Sequence, residues 1–267
     1  MVWNRPGQGS DAAVAPLRVF AGAVCRRIAE ALDLLLPVAC VSCECLLGEG
    51  ETEIVCGLCW SRLAQLPSPR CDRCGHPLGP TTCQWCELLP PFVRAVRSVC
   101  WMPGEPAAGI VHSLKYGGWT KVAVGMGTRM SRVAYPPDVI EERAALVPVP
   151  LAVSRIRERG YNQSALLAQV LSERWEIPVW EDAIVRTRAT RSQTELTPEQ
   201  RVGNVAGSFQ LVERGRERLR GKHVVLVDDV VTTAATLNEC ARVLYTAGAR
   251  IISYVTFGRA RASGDRL

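Results

Sequence analysis

The sequence predicts an α/β fold built on buried parallel strands and preceded by a small cysteine-rich domain. The first observation is the run at residues 224–227, four apolar residues of which three are valines, followed by a helical pattern at residues 237–244. Consecutive β-branched residues without polar alternation are typical of strands buried on both faces of a parallel sheet. The other two observations are a second apolar run at residues 145–150 and four Cys-x-x-Cys pairs between residues 40 and 86.

The composition is that of a globular chain able to form a sizeable core. The 267 residues are 48% hydrophobic, which suits one large domain or two smaller ones. The apolar run at residues 29–41 is interrupted by Glu30, Asp33 and Pro37 and is too short to cross a bilayer, and no signal-peptide pattern is evident. We therefore expect a cytoplasmic protein without a membrane partner. Its formal net charge of +6 suits anionic partners, polyphosphate and nucleic acid alike.

The chain ahead of the cysteines is expected to contribute one helix. The first dozen residues contain Gly, Pro and Ser and are predicted to be disordered, while residues 14–36 carry the apolar stripe of an amphipathic helix that Pro37 ends. A helix of this kind is more often a packing element than a partner-binding one. The predicted organisation is this start at residues 1–36, a cysteine domain at 37–90, a main domain at 91–260 and a tail at 261–267.

The cysteine pairs predict two zinc sites. Twelve cysteines in a reducing compartment are better explained by metal binding than by disulfides. A two-residue spacer lets both thiolates of a pair face one tetrahedral ion, and these regular pairs suit zinc better than an iron–sulfur cluster. The simplest, sequential pairing gives a double zinc ribbon whose ligands are Cys40, Cys43, Cys56 and Cys59 on one ion and Cys71, Cys74, Cys83 and Cys86 on the other. An interleaved pairing stays open, and so does the role of Cys45, which could replace Cys43.

Past the cysteines, the pattern alternates strands and helices. Residues 97–102 predict a short strand, residues 107–114 a helix, and residues 121–135 a second helix that two prolines stop. The first helix ends at a pair of glycines just after Lys115, a side chain that could reach an anionic ligand. An isolated lysine before a turn is, however, more often exposed to solvent.

A basic segment follows the predicted strand at residues 145–150. Residues 151–164 are expected to form a loop before a helix at 165–175, and they carry three arginines and two amides. Guanidinium forks match phosphate oxygens, and glycine allows backbone conformations that other residues avoid. The segment predicts a pyrophosphate loop that uses Arg155, Arg159, Gly160, Asn162 and Gln163, with a solvated basic turn as the alternative.

Two short segments, residues 183–185 and 207–212, could pair as a hairpin around a long polar loop rich in Arg and Gln. A loop of this kind can act as a lid that excludes water from a reactive site. A disordered connection would have the same composition, so both interpretations stay open.

The C-terminal part of the chain holds the most specific motif. Asp228 and Asp229 stand at the expected end of the strand at 224–227, and a loop of small and hydroxyl residues leads into the helix that Gly248 closes. The N-terminus of that helix offers unpaired N–H groups and a partial positive charge. The loop predicts a phosphate cup made by Thr232, Thr233, Ala234, Ala235 and Thr236. The two carboxylates are suited to sugar hydroxyls or to a metal ion that the substrate carries.

These residues resemble the signature of the type I phosphoribosyltransferases. In those enzymes two acidic residues hold the ribose hydroxyls of phosphoribosyl pyrophosphate, and a Thr-Thr-Gly-Ala-Thr loop wraps its 5′-phosphate. Ala234 stands where that loop usually has glycine, so a positive φ or a very close phosphate approach there would be costly. A P-loop is excluded because the chain contains no Gly-Lys-Ser or Gly-Lys-Thr.

The ordered set of motifs resembles the ComF/GntX family over residues 32–260. The resemblance is carried by Pro37, the four cysteine pairs, Leu114-Lys115-Tyr116-x-Gly118, residues 147–151, residues 159–164, Gln193-x-x-Leu196, residues 201–209 and the Asp228-Asp229 loop. It implies a double zinc ribbon ahead of a type I phosphoribosyltransferase-like fold, a parallel sheet flanked by helices with its site at the carboxyl ends of the strands. It also implies a role in the uptake and processing of single-stranded DNA during natural transformation, with DNA-processing proteins as candidate partners.

Together with substrate chemistry, the resemblance predicts phosphoribosyl transfer. Displacement of Mg²⁺-bound pyrophosphate passes through an oxocarbenium-like state, so catalysis is mainly positioning and charge stabilisation. Asp228 and Asp229 are the predicted catalytic pair on the ribose hydroxyls, and no general base is identifiable. The alternative is a non-catalytic accessory protein that binds nucleotides or single-stranded DNA and keeps the ribbons as structure. The acceptor and the oligomeric state are not specified by the sequence.

Overall fold

A computed structural model of the chain describes residues 38–48, 53–79, 83–188 and 206–261. The predicted N-terminal helix with Pro37, the greater part of the predicted lid and the tail beyond residue 261 lie outside these ranges. Within them, the chain forms an α/β sheet onto which the cysteine-rich segment packs.

Four parallel strands form the central sheet. They are β1 (Val93–Met102), β2 (Arg143–Pro148), β5 (His223–Val231) and β6 (Ile251–Ala260), in the order β1-β6-β5-β2. A separate antiparallel pair joins β3 (Ile184–Arg186) to β4 (Phe209–Leu211), which confirms the predicted hairpin. The central strands β5 and β6 are buried along most of their length, as the unbroken apolar run in β5 predicted.

Helices cover both faces of the sheet. They are α1 (Gly57–Ser61), α2 (Ala107–Tyr116), α3 (Val122–Met130), α4 (Pro137–Glu142), α5 (Val153–Arg159), α6 (Gln163–Trp175), α7 (Arg216–Leu219) and α8 (Ala235–Thr246), with short 3-10 helices at Gln84–Leu88 and Glu213–Gly215. The helices α2, α3 and α6 share one core with Val225 and Val227, whereas α8 shares the other with Val224 and Leu226. No helix in the described ranges is both long and apolar enough to cross a bilayer.

Strand β5 extends beyond its predicted end. The sequence placed both carboxylates after the strand, but the strand continues through Asp228 and Asp229 to Val231. The reason is the neighbour: β6 is ten residues long and pairs with β5 as far as Val231 opposite Arg259. The prediction of a strand followed by a tight loop and a helix is otherwise confirmed.

The segment predicted as a basic loop is partly helical. Residues 153–159 form α5, and Gly160 ends that helix in the left-handed region with a φ of 86°. The next helix begins at Gln163, two residues earlier than predicted, because Asn162 caps it. Arginine has a high helix propensity, and this allowed a helix where charge alone had indicated a loop.

The cysteine-rich segment shares the cores of the sheet. Trp60 packs edge to face on Phe257 of β6 with ring centroids 6.2 Å apart, and Trp85 belongs to the core on the α8 face. The chain between the two ribbons runs along the edge strand, where the Trp101 amide donates to the carbonyl of Ala64 at 2.7 Å. Residues on both sides of the predicted boundary at residue 90 therefore pack in the same two cores, and the boundary itself stays a prediction.

Candidate functional site

The carboxyl ends of the strands open a crevice beside β5. Strand β2 ends at Pro148 opposite Val227, so the next two residues of β5 have a strand neighbour on the β6 side only. Those two residues are Asp228 and Asp229. In doubly wound sheets, ligands bind in the crevice outside the carboxyl ends of the strands.

Asp229 is nearly fully buried against α2 and α6. Its carboxylate forms an ion pair with Lys115, which lies in the last turn of α2, and accepts a hydrogen bond of 3.1 Å from Gln163 Nε2. Burial opposes the charge of Lys115, but Asp229 outweighs it and raises the pKa of the lysine. Lys115 is therefore a charged group held in the site, and the solvent-exposed alternative for this residue is wrong.

Asp228 lies one residue earlier and has a different environment. Its Oδ1 accepts hydrogen bonds from Ser164 Oγ at 2.8 Å and from the Asp229 amide at 2.9 Å. Burial, together with the negative charge of Asp229, raises the pKa of Asp228 to about 7, although Lys115 acts in the opposite direction. A carboxyl group poised near neutral pH in a crevice is typical of functional sites.

The loop after β5 forms a small cup at the N-terminus of α8. Its lining residues are Asp228, Val230, Val231, Thr232, Ala234, Ala235, Thr236 and Leu237. Helix α8 starts at Ala235, so its first amides face the cup and no side chain caps them. The cup brings together Asp228 and most of the predicted phosphate loop; Thr233 and Asp229 do not line it. Such a cup can hold an anion through backbone donors and the helix dipole.

Ala234 has a positive φ, the conformation that the sequence analysis expected to be costly for a residue standing in place of glycine. Its φ is 58° and its ψ is 5°, in the left-handed region, and the residue is 4% exposed. The methyl group is accommodated in the core on the α8 face. An L-residue with a side chain in this region costs about 1 kcal/mol relative to glycine.

The two predicted pyrophosphate arginines that belong to α5 each contact a neighbouring side chain. Arg155 is half exposed and pairs with Glu158 on its own helix at 2.7 Å. Arg159 donates to Gln163 Oε1, which links it to Asp229 through the other end of the same amide. Both of these contacts are polar and could be exchanged for an anionic ligand.

Asn162 has a structural role in this arrangement. Its side-chain oxygen accepts from the Ser164 amide at 3.0 Å as the N-cap of α6, and its amide nitrogen donates to the Val149 carbonyl at 3.0 Å. Both ends of the side chain are thereby engaged. Gly160 supplies the turn between α5 and α6, as the sequence predicted for its backbone.

Two site residues were missed by the sequence analysis. Ser164 contacts Asp228 from the first turn of α6, and its position next to Gln163 was the available signal. Arg186, at the end of β3, lies over the Phe209 ring at 5.3 Å. Burial lowers the pKa of Arg186, and the negative charge of Asp228 acts in the opposite direction by stabilising the guanidinium cation. The sequence analysis had included it only as the start of the long polar loop, because strand pairing with β4 was needed to orient it.

Two groups of thiols lie at the edge of the sheet, and they converge in sequential order. In the second group the sulfur atoms of Cys71 and Cys86 are 3.4 Å apart and those of Cys74 and Cys83 are 3.2 Å apart. All four sulfur atoms lie within 4.8 Å of one another, which suits one tetrahedral zinc ion. The interleaved pairing does not occur.

The first group contains five thiols instead of four. Cys43 Sγ lies 3.1 Å from Cys45 Sγ and 3.7 Å from Cys56 Sγ, and Cys40 Sγ lies 3.8 Å from Cys59 Sγ. The set whose sulfur atoms all lie within 4.8 Å of one another is Cys40, Cys43, Cys45 and Cys56. Cys45 thus joins Cys43 in the group and does not replace it, and Cys59 is the predicted ligand that stands slightly apart.

The first halves of the two ribbons are copies of one turn. The amide of Cys40 donates to the Cys45 carbonyl and that of Cys71 to the His76 carbonyl, both at 2.8 Å. The residue before each acceptor has a positive φ, 60° at Glu44 and 68° at Gly75. This internal repeat makes Cys45 the structural counterpart of His76, whose ring stacks on Trp85 at 5.9 Å.

Comparison with known proteins supports both halves of this arrangement. Residues 31–89 match the model of the double zinc ribbon domain, and residues 142–266 match the model of the phosphoribosyl transferase domain. The DNA utilization protein YhgH of Escherichia coli K12 is 33% identical over 230 residues, covering 82% of this chain and 96% of the relative. This chain belongs to the ComF family.

Two further relatives of this ComF-family protein carry competence names. Competence protein F of Haemophilus influenzae is 39% identical over 118 residues, covering 44% of this chain and 50% of the relative. Competence protein ComFC of Bacillus subtilis is 26% identical over 206 residues, covering 73% and 80%. The family and its two domains, the zinc ribbon and the phosphoribosyltransferase-like fold, are thus established.

The solved structures to which this chain is similar are more distant. The glutamine phosphoribosylpyrophosphate amidotransferase of B. subtilis has a TM-score of 0.34 at 21% identity, covers 55% of this chain, and is matched over 26% of its own length. A hypoxanthine phosphoribosyltransferase from Staphylococcus aureus has a TM-score of 0.29 at 14% identity, with 56% and 69% covered. The ComF-family chain spans about a quarter of the amidotransferase.

Proposed function

We propose that this ComF-family protein binds phosphoribosyl pyrophosphate with Mg²⁺ and transfers the phosphoribosyl group to an acceptor. The observation that carries the proposal is the cup at the N-terminus of α8, which adjoins the carboxylate of Asp228. An anion site next to a hydroxyl-binding carboxylate matches the two halves of a phosphorylated sugar. The phosphoribosyl transferase domain match covers both elements.

The residues divide between three parts of the substrate. The backbone of the loop from Thr232 to Thr236 holds the 5′-phosphate, and Asp228 accepts hydrogen bonds from the ribose hydroxyls. Asp229 contributes to the ribose side or to the Mg²⁺ that accompanies pyrophosphate, an ion for which carboxylate oxygens are suitable ligands. The pyrophosphate then lies on the side of α2 and α5, where Lys115, Arg159 and Arg155 provide positive charge.

Binding must rearrange the ion pair between Lys115 and Asp229. In the described structure each of these side chains neutralises the other within a largely buried setting. With substrate and Mg²⁺ bound, the Asp229 carboxylate would hold the cation and the Lys115 ammonium would bind the pyrophosphate, so both charges would keep a partner. This exchange supplies charge stabilisation for the departing pyrophosphate without leaving a buried charge alone.

The acceptor and the cellular role are inferred only from the names of the relatives. The names of the relatives refer to DNA utilization and competence, and we place this protein in the handling of incoming single-stranded DNA in the cytoplasm. A component of DNA, or a product of its processing, is then the natural acceptor.

A second candidate function is nucleotide or single-stranded DNA binding without catalysis. It is favoured by two exposed aromatic residues beside the site, Tyr116 at 62% and Trp119 at 48% exposure. Arg159 lies 5.3 Å from the centre of the Tyr116 ring, so a cation stands beside one of these aromatic groups. Stacking platforms interleaved with positive charge are typical of surfaces that bind single-stranded nucleic acid.

Calorimetry separates the two candidates. The wild type, the double variant Asp228→Asn with Asp229→Asn, and the control Asp138→Asn are titrated with phosphoribosyl pyrophosphate in the presence of Mg²⁺. Asp138 lies in α4 before β2, at the opposite end of the strands, and pairs with Arg94. Binding by the wild type and the control, but not the double variant, supports the transferase. No wild-type binding of this ligand, with salt-sensitive binding of single-stranded DNA, supports the second candidate.

A further inference from the structure

Among the described residues outside the candidate site, the most deeply buried charge is that of Arg259 near the end of β6. Its side chain is completely inaccessible to solvent, and the residue lies between Trp101 of β1 and Val231 of β5 in the sheet. An arginine guanidinium keeps its charge at neutral pH in proteins. Enclosing a charge in this way is unfavourable unless a partner of opposite sign is close.

No carboxylate provides that partner. Among the described residues, none lies within 4 Å of the Arg259 guanidinium. Its contacts are neutral: Nη2 donates to the Cys74 carbonyl at 2.5 Å, Nε approaches Ser98 Oγ at 3.5 Å, and the plane lies 4.9 Å from the Trp85 ring centre. The third nitrogen, Nη1, is buried and has no hydrogen-bond partner.

Two of these contacts belong to the second cysteine cluster. The carbonyl that accepts from Arg259 is that of Cys74, and the Trp85 ring lies in the 3-10 helix that carries Cys86. A zinc ion with four thiolates carries a net charge of about −2, because four negative sulfurs exceed the charge of the metal. The second cluster, when loaded, would therefore be a buried dianion next to an unneutralised cation.

A second arginine lies on another side of the same cluster. Arg97 of β1 is 9% exposed, and its Nη2 donates to the Asp72 carbonyl at 2.8 Å, inside the turn between Cys71 and Cys74. Its other nitrogens donate to the carbonyls of Val96 and Ala134. The carboxylate of Asp72 is 3.8 Å away but points into solvent, with 73% of its side chain exposed.

We infer that Arg259 and Arg97 are the counter-charges of the zinc–tetrathiolate centre formed by Cys71, Cys74, Cys83 and Cys86. These two guanidinium groups then face one dianion, on whose outer side Arg73 adds a third cation by donating to the Cys86 carbonyl at 3.3 Å. Metal loading and the seating of the second ribbon on the sheet become one event, because each charge is stable in the core only when the other is present. The two arginines act through the thiolates and are positioning residues.

This pairing also connects the zinc to the phosphate cup. Arg259 lies opposite Val231, the last residue of β5 before the loop. The 3-10 helix that carries Cys86 accepts a hydrogen bond of 2.7 Å at the Leu88 carbonyl from Asn238 of α8. The inference does not depend on what the cup binds.

The test asks whether zinc retention depends on the positive charge of residue 259 or on the shape of its side chain. Three zinc-loaded proteins are mixed with a chelator: the wild type, Arg259→Lys and Arg259→Met. A chromogenic zinc indicator measures the rate at which each protein releases zinc. Alkylation of released thiols and mass spectrometry assign each phase to a cluster. Removal of an outer partner of a metal site typically costs 10- to 100-fold in affinity, so we expect release from the second cluster to accelerate roughly tenfold or more in Arg259→Met. The Lys variant should stay close to wild type.

The first cluster is the internal control, and its release rate should be the same in all three proteins. With Co²⁺ in place of zinc, the thiolate-to-metal charge-transfer band of the second cluster should shift in Arg259→Met, since a nearby cation changes the energy of the sulfur electrons. Retention at the wild-type rate in Arg259→Met would overturn the inference. So would equally fast release from the Lys and Met variants, because packing and not charge would then be responsible. If Arg259→Met does not fold, Arg97→Met against Arg97→Lys decides by the same criterion.

Discussion

At the scale of single residues, the strain at Ala234 and the environment of Asp228 determine what the site can do. Ala234 takes a left-handed backbone conformation at the base of the cup, with its methyl group inside the core. Sequence comparison had indicated the position, because glycine usually stands there. The sign of φ could be known only from the structure.

Replacing Ala234 by glycine should relieve this strain. We expect Ala234→Gly to raise the free energy of unfolding by about 1 kcal/mol, and to strengthen phosphate binding if the methyl group restricts the loop. Denaturant unfolding and calorimetry with phosphoribosyl pyrophosphate measure the two effects. Ala249→Gly is the matched control: this buried alanine has an ordinary φ, so the same change there should destabilise. Equal losses at both positions would contradict the prediction.

The pKa of Asp228 predicts how substrate binding depends on pH. Burial raises this pKa to about 7, and only the ionised form accepts hydrogen bonds from two hydroxyls. Affinity for phosphoribosyl pyrophosphate should therefore fall roughly tenfold between pH 8 and pH 6. Calorimetry over this range measures it, and Asp228→Asn serves as the control for titration of the ligand itself. A wild-type slope no steeper than that of the variant would refute the prediction.

The same carboxyl group should destabilise the folded state at high pH. Its pKa is about 7 when folded and about 4 when unfolded, so unfolding is favoured increasingly as pH rises from 4 to 7. Asp228→Asn should therefore be more stable than wild type at pH 8, by on the order of 1 to 4 kcal/mol, and equal to it near pH 4. Thermal unfolding at both pH values measures the difference. A variant that is less stable at pH 8 would show that the negative charge is favourable there.

The fifth thiol of the first cluster can be assigned by substitution. Cys45 and Cys59 are the two candidates for the fourth ligand, the first by its place in the compact group and the second by its spacing. We expect Cys59→Ser to retain two zinc ions per chain if Cys45 substitutes for it, and the pair Cys45→Ser with Cys59→Ser to retain one. Metal analysis by mass spectrometry measures both. One zinc in Cys59→Ser alone would assign Cys59 as the native ligand.

At the scale of secondary structure, sequence patterns predicted the elements better than their ends. The valine run identified β5, and the hairpin at the ends of the long polar loop was found from two short apolar flanks. The extension of β5 through the aspartates depends on the length of β6, a partner that is distant in sequence. The helix α5 was missed because its arginines were interpreted by charge and not by helix propensity.

Helix α6 carries the residues that contact both aspartates, so its cap is a test of the site. Asn162 caps the helix and also fixes it to Val149. Asn162→Ala should lower the free energy of unfolding by about 1 to 2 kcal/mol and weaken substrate binding as Gln163 and Ser164 lose their position. Denaturant unfolding and calorimetry measure the two effects. Asn162→Asp restores the capping oxygen but not the amide donor, and it should recover stability only in part.

At the scale of the whole molecule, the cysteine motifs and the phosphate loop were sufficient to predict the domain types and their order. The sequence could not show that the ribbons and the sheet share their cores, since this depends on contacts such as those of Trp60 and Trp85 with residues far along the chain. The ion pair between Lys115 and Asp229 was hidden for the same reason. Local patterns specify elements, whereas buried contacts between distant residues specify how they meet.

A continuous core predicts a single unfolding transition. In differential scanning calorimetry the zinc-loaded protein should unfold in one step, and removal of zinc by a chelator should lower the Tm of the whole chain. A protein of two independent domains would instead show two steps, of which the metal affects one. The latter outcome would support the predicted boundary at residue 90.

The duplicated turns of the two ribbons differ in whether they tolerate a side chain at the position with positive φ. At Gly75 a β-carbon would come within 2.3 Å of the Val96 carbonyl oxygen, whereas its counterpart Glu44 already bears a side chain. One copy of the motif is thus fixed by the strand beneath it, and the other is open to variation and to chemical labelling. A fluorophore or a cross-linker attached at residue 44 would therefore report on the surroundings of the first ribbon. It would leave the contact between the Gly75 turn and β1 undisturbed.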